Sequence, residues 1–430
     1  MAYHVLSPDT QAILLLCASF GQNRQMEPQP LTLGEYNSLA GWLVEHQMSP
    51  GDLLQPTLKN QLPKITIGKL DSDRLVALLE RGVMLGFAVE KWTSQGLWVL
   101  GRGDSQYPKC LKQRLRHSAP AILYGVGNLE LLSSGGLAVV GSRDIDEEAL
   151  GYTRRIAQTC AEQGMHLASG GARGVDQAAM LTVLEAGGTS VGVLADSLTK
   201  AAVAGKYRAA IKEGRLTLVS TYDPNAGFNA GNAMGRNKYI YALADYALVV
   251  GCSFGKGGTW AGATEALERI KDVPVFVWMQ GTVLQGNRQL LKKGASIFPE
   301  EPWNTSLRQL LEAATSKIEP IKTQVEAIAE EVADGVANKP LVDSFTGILL
   351  PVNQSSPKDI YEAVLPFILT YLEQPKDAKS LALSLDVRPT QMQDWLDRAV
   401  AEGKLRKTKK PVAYVADQKP ALLSLLDEVE

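Results

Sequence analysis

Residues 165–195 read MHLASGGARGVDQAAMLTVLEAGGTSVGVLA. A short apolar run ends at Ser169, three glycines and an arginine follow within residues 170–174, a helical pattern comes next, and a second apolar run closes the stretch. Val175, Ala178, Ala179, Thr182, Val183 and Ala186 fall at i, i+3, i+4, i+7, i+8 and i+11, which predicts one apolar helix face packed on a sheet. Parallel neighbouring strands need a connection of about a dozen residues or more, so a strand, helix and strand of this length predict a parallel pair. This one unit points to α/β architecture.

Working outward, the same alternation recurs. LAVVGS (137–142), LTLVS (216–220), YALVVG (246–251) and PVFVWM (274–279) are further apolar runs of β type, separated by helical patterns. Thr259, Ala263, Ala266, Leu267 and Ile270 line one side of the helix predicted after YALVVG. GLWVLG and PAILYGVG read as short strands on either side of the basic stretch 109–116. The expectation for residues 96–312 is an extended Rossmann-like, doubly wound, mostly parallel sheet. Residues 1–95 carry three helical patterns, QAILLLCASF, YNSLAGWLVEH and DRLVALLERGVMLG, and predict an all-α module. Residues 313–356 are polar and contain proline, as a linker would. Residues 357–430 predict helices followed by KLRKTKKPVAYV, a winged-helix-like module with Thr390–Glu402 as the second helix of a helix-turn-helix.

At 430 residues the chain exceeds one ordinary domain. Its formal net charge of −2 gives no attractive field for a polyanion, so any such partner must be held by a local basic patch. Cys17, Cys110, Cys160 and Cys252 form no CxxC pair and the four histidines are scattered, so neither a disulfide framework nor a metal site is signalled, and no cofactor is expected. The first ten residues lack the pattern of a signal peptide and no run of 18 apolar residues occurs, which predicts a cytoplasmic protein without a membrane partner.

Ligands of open α/β sheets bind beyond the carboxyl ends of the strands, so the residues just after each apolar run are the ones to inspect. They are Gly141, Ser142 and Arg143 after the first run; Ser169, Gly170, Gly171, Arg173 and Gly174 after the second; and Lys256, Gly257, Gly258 and Thr259 after the fifth. Arg236, Asn237 and Lys238 add charge ahead of another predicted helix. Glycine lets backbone amides approach a phosphate, helix N-termini favour anions, and arginine clamps phosphate bidentately. Turn geometry alone explains any one such glycine, but it does not require Arg or Lys at several loops. Asp176 reads as a structural cap at a helix start. No GxxxxGK[ST] loop is present, no GxGxxG follows the first strand, and Ser142 and Ser169 have no histidine nearby in sequence, so no catalytic residue is expected.

GLAVVGSR, SGGARGVDQAA, GRNKYIYALADYALVV and QGNRQLLKKGA, in this order and spacing, resemble the DNA-processing protein A family (DprA, also called Smf). The likeness covers residues 97 to 300 well and the outer modules more loosely, the first corresponding to a SAM or helix-hairpin-helix-like domain. It implies a non-enzymatic protein of DNA recombination and natural transformation that binds single-stranded DNA in a basic pocket, forms a homodimer and helps load a RecA-type recombinase. By motif, Ser142 and Arg143 match the family's first-loop GSR, Ser169, Gly170, Arg173, Gly174 and Asp176 match its SGxARGxD loop, and Arg236 and Asn237 match its RN pair, which implies DNA-binding roles for these residues other than the cap Asp176.

The chain also departs from the family pattern. Ala179 and Met180 stand where a histidine is usual, the tyrosine-proline pair near 197–207 is missing, and GKGGTWAGATEAL resembles the GGxGT loop of LOG-type phosphoribohydrolases. A nucleotide sensor or nucleotide-processing enzyme, for example in defence against foreign DNA, is therefore the second reading, although Glu265 lies six residues beyond Thr259 where that chemistry needs a closer glutamate. A third is an adaptor acting through its outer modules. Asp394, Asp397 and Glu402 on the predicted recognition helix favour a protein partner there, while Lys404, Arg406, Lys407, Lys409 and Lys410 fit either a DNA-touching wing or a solvated hairpin. Phe254 and Trp260 are candidates for base stacking or for ordinary packing.

Overall fold

In the run Leu137–Val140 every residue is buried, with Leu137 and Val139 in one apolar cluster and Ala138 and Val140 in another. A strand whose alternate residues meet two different cores must be covered on both faces, which is the condition of a doubly wound sheet. The computed structural model describes residues 6–20, 28–59, 62, 67–68, 70–303 and 305–316, and parts of 361–416. Within it the sheet has nine strands: β1 (Trp98–Gly101), β2 (Ile122–Val126), β3 (Leu137–Val140), β4 (Leu167–Ser169), β5 (Ser190–Leu194), β6 (Leu216–Ser220), β7 (Tyr246–Val249), β8 (Val275–Val277) and β9 (Ser296–Ile297). Their order is β1-β2-β6-β5-β4-β3-β7-β8-β9. β1 with β2 and β2 with β6 are antiparallel; every other neighbouring pair is parallel. The expected α/β class, with its mostly parallel doubly wound sheet, is the observed one.

The helices that precede the sheet are α1 (Pro8–Cys17), α2 (Leu33–Glu45), α3 (Pro56–Lys59), α4 (Ser72–Leu79) and α5 (Gly82–Ser94). Those within and after it are α6 (Lys109–Leu115), α7 (Glu147–Glu162), α8 (Val175–Glu185), α9 (Leu198–Ala202), α10 (Gly205–Lys212), α11 (Ala230–Leu243), α12 (Gly257–Glu265), α13 (Gln285–Lys292) and α14 (Leu307–Ser316). α7 to α10 and α14 share the core of Leu137 and Val139, whereas α6 and α11 to α13 share that of Ala138 and Val140. The buried face of α8 consists of Val175, Asp176, Ala179, Met180, Val183 and Leu184. It is rotated from the expected one: Ala178 and Thr182 are half-buried and Ala186 is exposed. The larger side chains of Met180 and Leu184 gain more from burial than two alanines do, so they set the helix's rotation.

The N-terminal helices pack into the same cluster as the sheet: Ile13, Leu14 and Leu39 belong with Tyr124 and Val126. Thr10 and Asp104 add a polar seam, because both accept from the Gly101 N–H, at 3.0 and 2.8 Å, and the Thr10 hydroxyl donates to Asp104 at 2.6 Å. The boundary expected at residues 95/96 thus runs through a continuous core. Of the expected linker, residues 313–316 form the end of α14 and the rest lie outside the described residues.

The C-terminal unit has its own core of Tyr361, Ile368, Leu381, Met392, Leu396, Leu405 and Tyr414. Helices Ala378–Ser384 and Pro389–Ala401 precede an antiparallel hairpin of β10 (Leu405–Lys407) and β11 (Tyr414–Ala416). Three of its cations have acidic partners: Lys404 and Arg398 pair with Glu402 at 2.6 and 2.9 Å, and Lys407 lies 3.6 Å from Asp397. Lys409 and Lys410 lie outside the described residues.

Candidate functional site

The strand order reverses at β3, which has β4 on one side and β7 on the other. Loops following β3 to β7 therefore open at one edge of the sheet, around a switch point of the kind where such folds bind ligands. They enclose a trough of two lobes. Gly171, Arg173, Asp196, Lys200, Lys206 and Tyr207 line the first, of about 450 Å³. Gly141, Ser142, Asn237, Lys256, Gly257 and Thr259 line the second, of about 400 Å³. Arg143, Phe228 and Arg236 border both.

Arg236 forms the floor. The expectation placed it ahead of a helix; it lies inside α11, where it is buried with only 5% exposed. Its Nη1 donates to the carbonyl oxygens of Gly170 and Val193, so this nitrogen fastens the ends of β4 and β5. Asp176 stands beside it, in the first turn of α8 after the N-cap residue Gly174, so its role differs from that of an N-cap. The Asp176 carboxylate accepts from the Gly141 N–H at 3.3 Å and so ties the loop after β3 to α8. Burial pushes its carboxyl up to about 6, opposed by Arg236 and by the backbone N–H groups of Gly141, Ala172 and Gly170. Burial likewise disfavours the Arg236 charge, and Asp176 supports it.

The glycines of residues 170–174 answer to the protein's own atoms. A Cβ on Gly170 would collide with Arg236 and Asp176, and one on Gly174 would collide with the Ser142 carbonyl oxygen and lie 2.7 Å from that of Arg143. Gly174 also has φ +84°, which a side chain would strain. The Val175 N–H points at the Ser142 oxygen, 3.4 Å away. This helix start is occupied by the loop after β3, a correction to its reading as an open phosphate cradle.

Several other expected ligand groups are internal fasteners. The buried Ser169 hydroxyl donates to the Val139 carbonyl oxygen at 2.6 Å. Thr259 donates to the Gly141 oxygen at 2.9 Å, and the Asn237 amide donates to the Gly258 oxygen at 2.7 Å. A Cβ on Gly258 would stand 2.7 Å from the Asn237 amide nitrogen, and one on Gly262 2.7 Å from the Asn237 Cβ. Gly258 and Gly262 thus let α11 and α12 approach closely, whereas a Cβ on Gly255 or Gly257 would meet open space. Lys238 reaches over the Tyr239 ring, 5.4 Å from its centroid, and borders neither lobe. Phe254 and Trp260 pack edge to face at 5.1 Å, also away from both lobes.

What faces the trough is a set of exposed cations: Arg143, Arg173, Lys200, Lys206 and Lys256. None forms an ion pair among the described residues. Phe228, 62% exposed, lies between the lobes with the Arg143 guanidinium 5.4 Å from its ring centroid. The sequence reading missed Phe228, Lys200, Lys206 and Tyr207. The only local signal was the unusual 197–207 stretch, in which Lys200 and Lys206 are spaced for two short helices, α9 and α10.

A family model described as DNA recombination-mediator protein A matches residues 98–309, which hold all the trough loops. Residues 98–309 form a domain of the DNA recombination-mediator protein A family. It is similar to Protein Smf of Escherichia coli strain K12, 32% identical over 215 residues, 49% of this chain and 56% of that protein. It is also similar to the DNA processing protein DprA of Streptococcus pneumoniae, 28% identical over 199 residues, 45% of this chain and 68% of that protein. The chain thus spans little more than half the length of Protein Smf. The X-ray structure of DprA from Streptococcus pneumoniae shares the fold, with a TM-score of 0.53 and 19% identity over 72% of this chain and 98% of that one. Identities of 32% and 28% to these relatives are those of a divergent member, as in the resemblance read from the motifs.

Proposed function

We propose that the trough holds the sugar-phosphate backbone of unpaired DNA, and that this is a binding site without chemical turnover. The observation that carries the reading is the set of five unpaired cations around an exposed aromatic ring. Arg or Lys left without carboxylate partners along a groove is the electrostatic footprint of a polyanion. A protruding phenylalanine offers a stacking surface that any splayed base can use, whereas paired bases in a duplex do not present their faces. Against turnover stand the seals on the two serines: Ser169 is buried, and the Ser142 hydroxyl accepts from the Asp144 N–H at 3.3 Å. No histidine borders either lobe. Family membership supports a role in recombination mediation, in which a homodimer would pass the strand to a RecA-type recombinase. Among the described residues no helix is long and apolar enough to cross a membrane.

The test is fluorescence anisotropy with a labelled single strand, competed by unlabelled single strand, duplex or mononucleotide. The expected order of competition is single strand, then duplex, then mononucleotide, with Arg173→Glu and Lys206→Glu each weakening binding. Mononucleotides competing as well as the strand, or both reversals leaving affinity unchanged, would move the function to a free nucleotide or away from this trough.

A further inference from the structure

The first lobe contains a group that backbone binding does not need. Asp196 borders it among the cations and its charge helps support that of Arg236, yet its carboxylate accepts no hydrogen bond and forms no close ion pair with the protein among the described residues. A carboxylate inside a phosphate groove repels the ligand's backbone, so its presence calls for a different ligand group. The next residue, Ser197, has φ +52° and ψ +34°, a left-handed conformation that a non-glycine residue holds only when its surroundings enforce it. The enforcement is visible: the Ser197 N–H donates to the Ala226 carbonyl oxygen at 2.8 Å, and the Ser197 oxygen accepts from Ala201 N–H at 3.0 Å. The Ser197 hydroxyl caps no backbone group of α9, although it stands at the helix start where serine usually does so. The corner therefore presents one acceptor pair and one free hydroxyl to a lobe whose remaining wall includes Leu194, Ala201, Tyr207 and Phe228.

We propose that this lobe is a base-reading pocket that selects guanine from the bound strand. The proposal rests on the reading of the trough as a site for unpaired DNA and adds a base preference to it. Guanine carries two adjacent donors, N1–H and the exocyclic amine, which match the two oxygens of one carboxylate. Thymine and adenine place acceptors beside their single donor on the same edge, and cytosine sets its amine beside a ring acceptor, so each of them meets repulsion from Asp196. The apolar wall receives the ring, and Lys200, Lys206 and Arg173 accept the flanking phosphates.

The test compares wild type with Asp196→Asn on short thymidine strands carrying isolated guanine, inosine, adenine or cytosine, with isolated placement preventing four-stranded guanine assemblies. Wild type binds the guanine strand about tenfold or more tightly than the thymidine-only strand. Inosine, which lacks the exocyclic amine, falls between. Asp196→Asn abolishes the preference, while its affinity for the thymidine-only strand stays equal or rises because a negative charge has left the groove. Equal wild-type affinity for guanine and thymidine strands overturns the base-reading pocket and leaves strand binding intact. A guanine preference that survives in Asp196→Asn overturns the role of the carboxylate. Absence of binding to every strand overturns both readings.

Discussion

The guanidinium of Arg236 and the carboxylate of Asp176 flank the space where a side chain of residue 170 would begin, so Gly170 leaves room for two buried groups whose charges support each other. Arg236, inside α11, and Arg173, in the loop after β4, do different work. Removing one partner of a buried charged pair leaves the other uncompensated, and Arg236 in addition serves two carbonyl oxygens. Arg236→Met should lower unfolding free energy by about 3–5 kcal/mol. Arg173→Met, at an exposed position, should stay within about 0.5 kcal/mol of wild type. Denaturant unfolding of both variants measures the contrast.

Asp176 also sets a pH dependence. Its folded-state value of about 6 lies above the usual carboxylate range, so the folded protein holds a proton there that the unfolded chain releases. The stability linked to this group is fully present below about pH 4 and is lost as pH rises through 6. Relative to Asp176→Asn, which cannot titrate, wild type should therefore gain stability when pH falls from about 7 to about 5. Equal shifts of both denaturation midpoints over that window would show that Asp176 is ionised throughout.

The exposed cations should report on DNA through salt. Each phosphate contact to a single strand contributes about 0.7 to the slope of log affinity against log salt. Lys206→Ala and Arg173→Ala should each reduce that slope by about 0.7 and leave thermal stability unchanged. Titrations at several salt concentrations give the slopes directly.

Phe228 separates stacking from charge. Phe228→Ala should weaken single-strand binding by about 1–3 kcal/mol. The salt slope should not move, since no cation is lost. Its ring is largely in solvent, so the variant's unfolding midpoint should match wild type. Loss of affinity for duplex and single strand alike would place the ring outside the base contacts.

Much of the architecture was legible because β3 to β8 are short apolar runs set at crossover spacing, a signal that needs no knowledge of contacts. The trough loops were also legible by position, since the switch-point argument singles out residues after β3, β4 and β7. What the residues there do was not. Arg173 and Arg236 look alike in sequence, and only the path of α11 decides that one is sealed under Gly170 while the other meets solvent. Glycine is equally ambiguous: Gly170 makes room for Arg236, 66 positions away, and Gly174 for the Ser142–Arg143 backbone, about 30 positions away, and neither neighbour is visible to local pattern. Lys200, Lys206 and Phe228 escaped notice because they sit in segments with no motif, brought to the rim by β5 and β6.

The hydroxyl of Thr10 and the carboxylate of Asp104 both take up the amide of Gly101, and the first helix thereby closes the antiparallel margin of the sheet. Trimming the protein back to the sheet and its later helices would uncover that margin and shear apart a shared oily interior. Dissection of roles is better pursued by point substitution at the rim than by amputation of the front third.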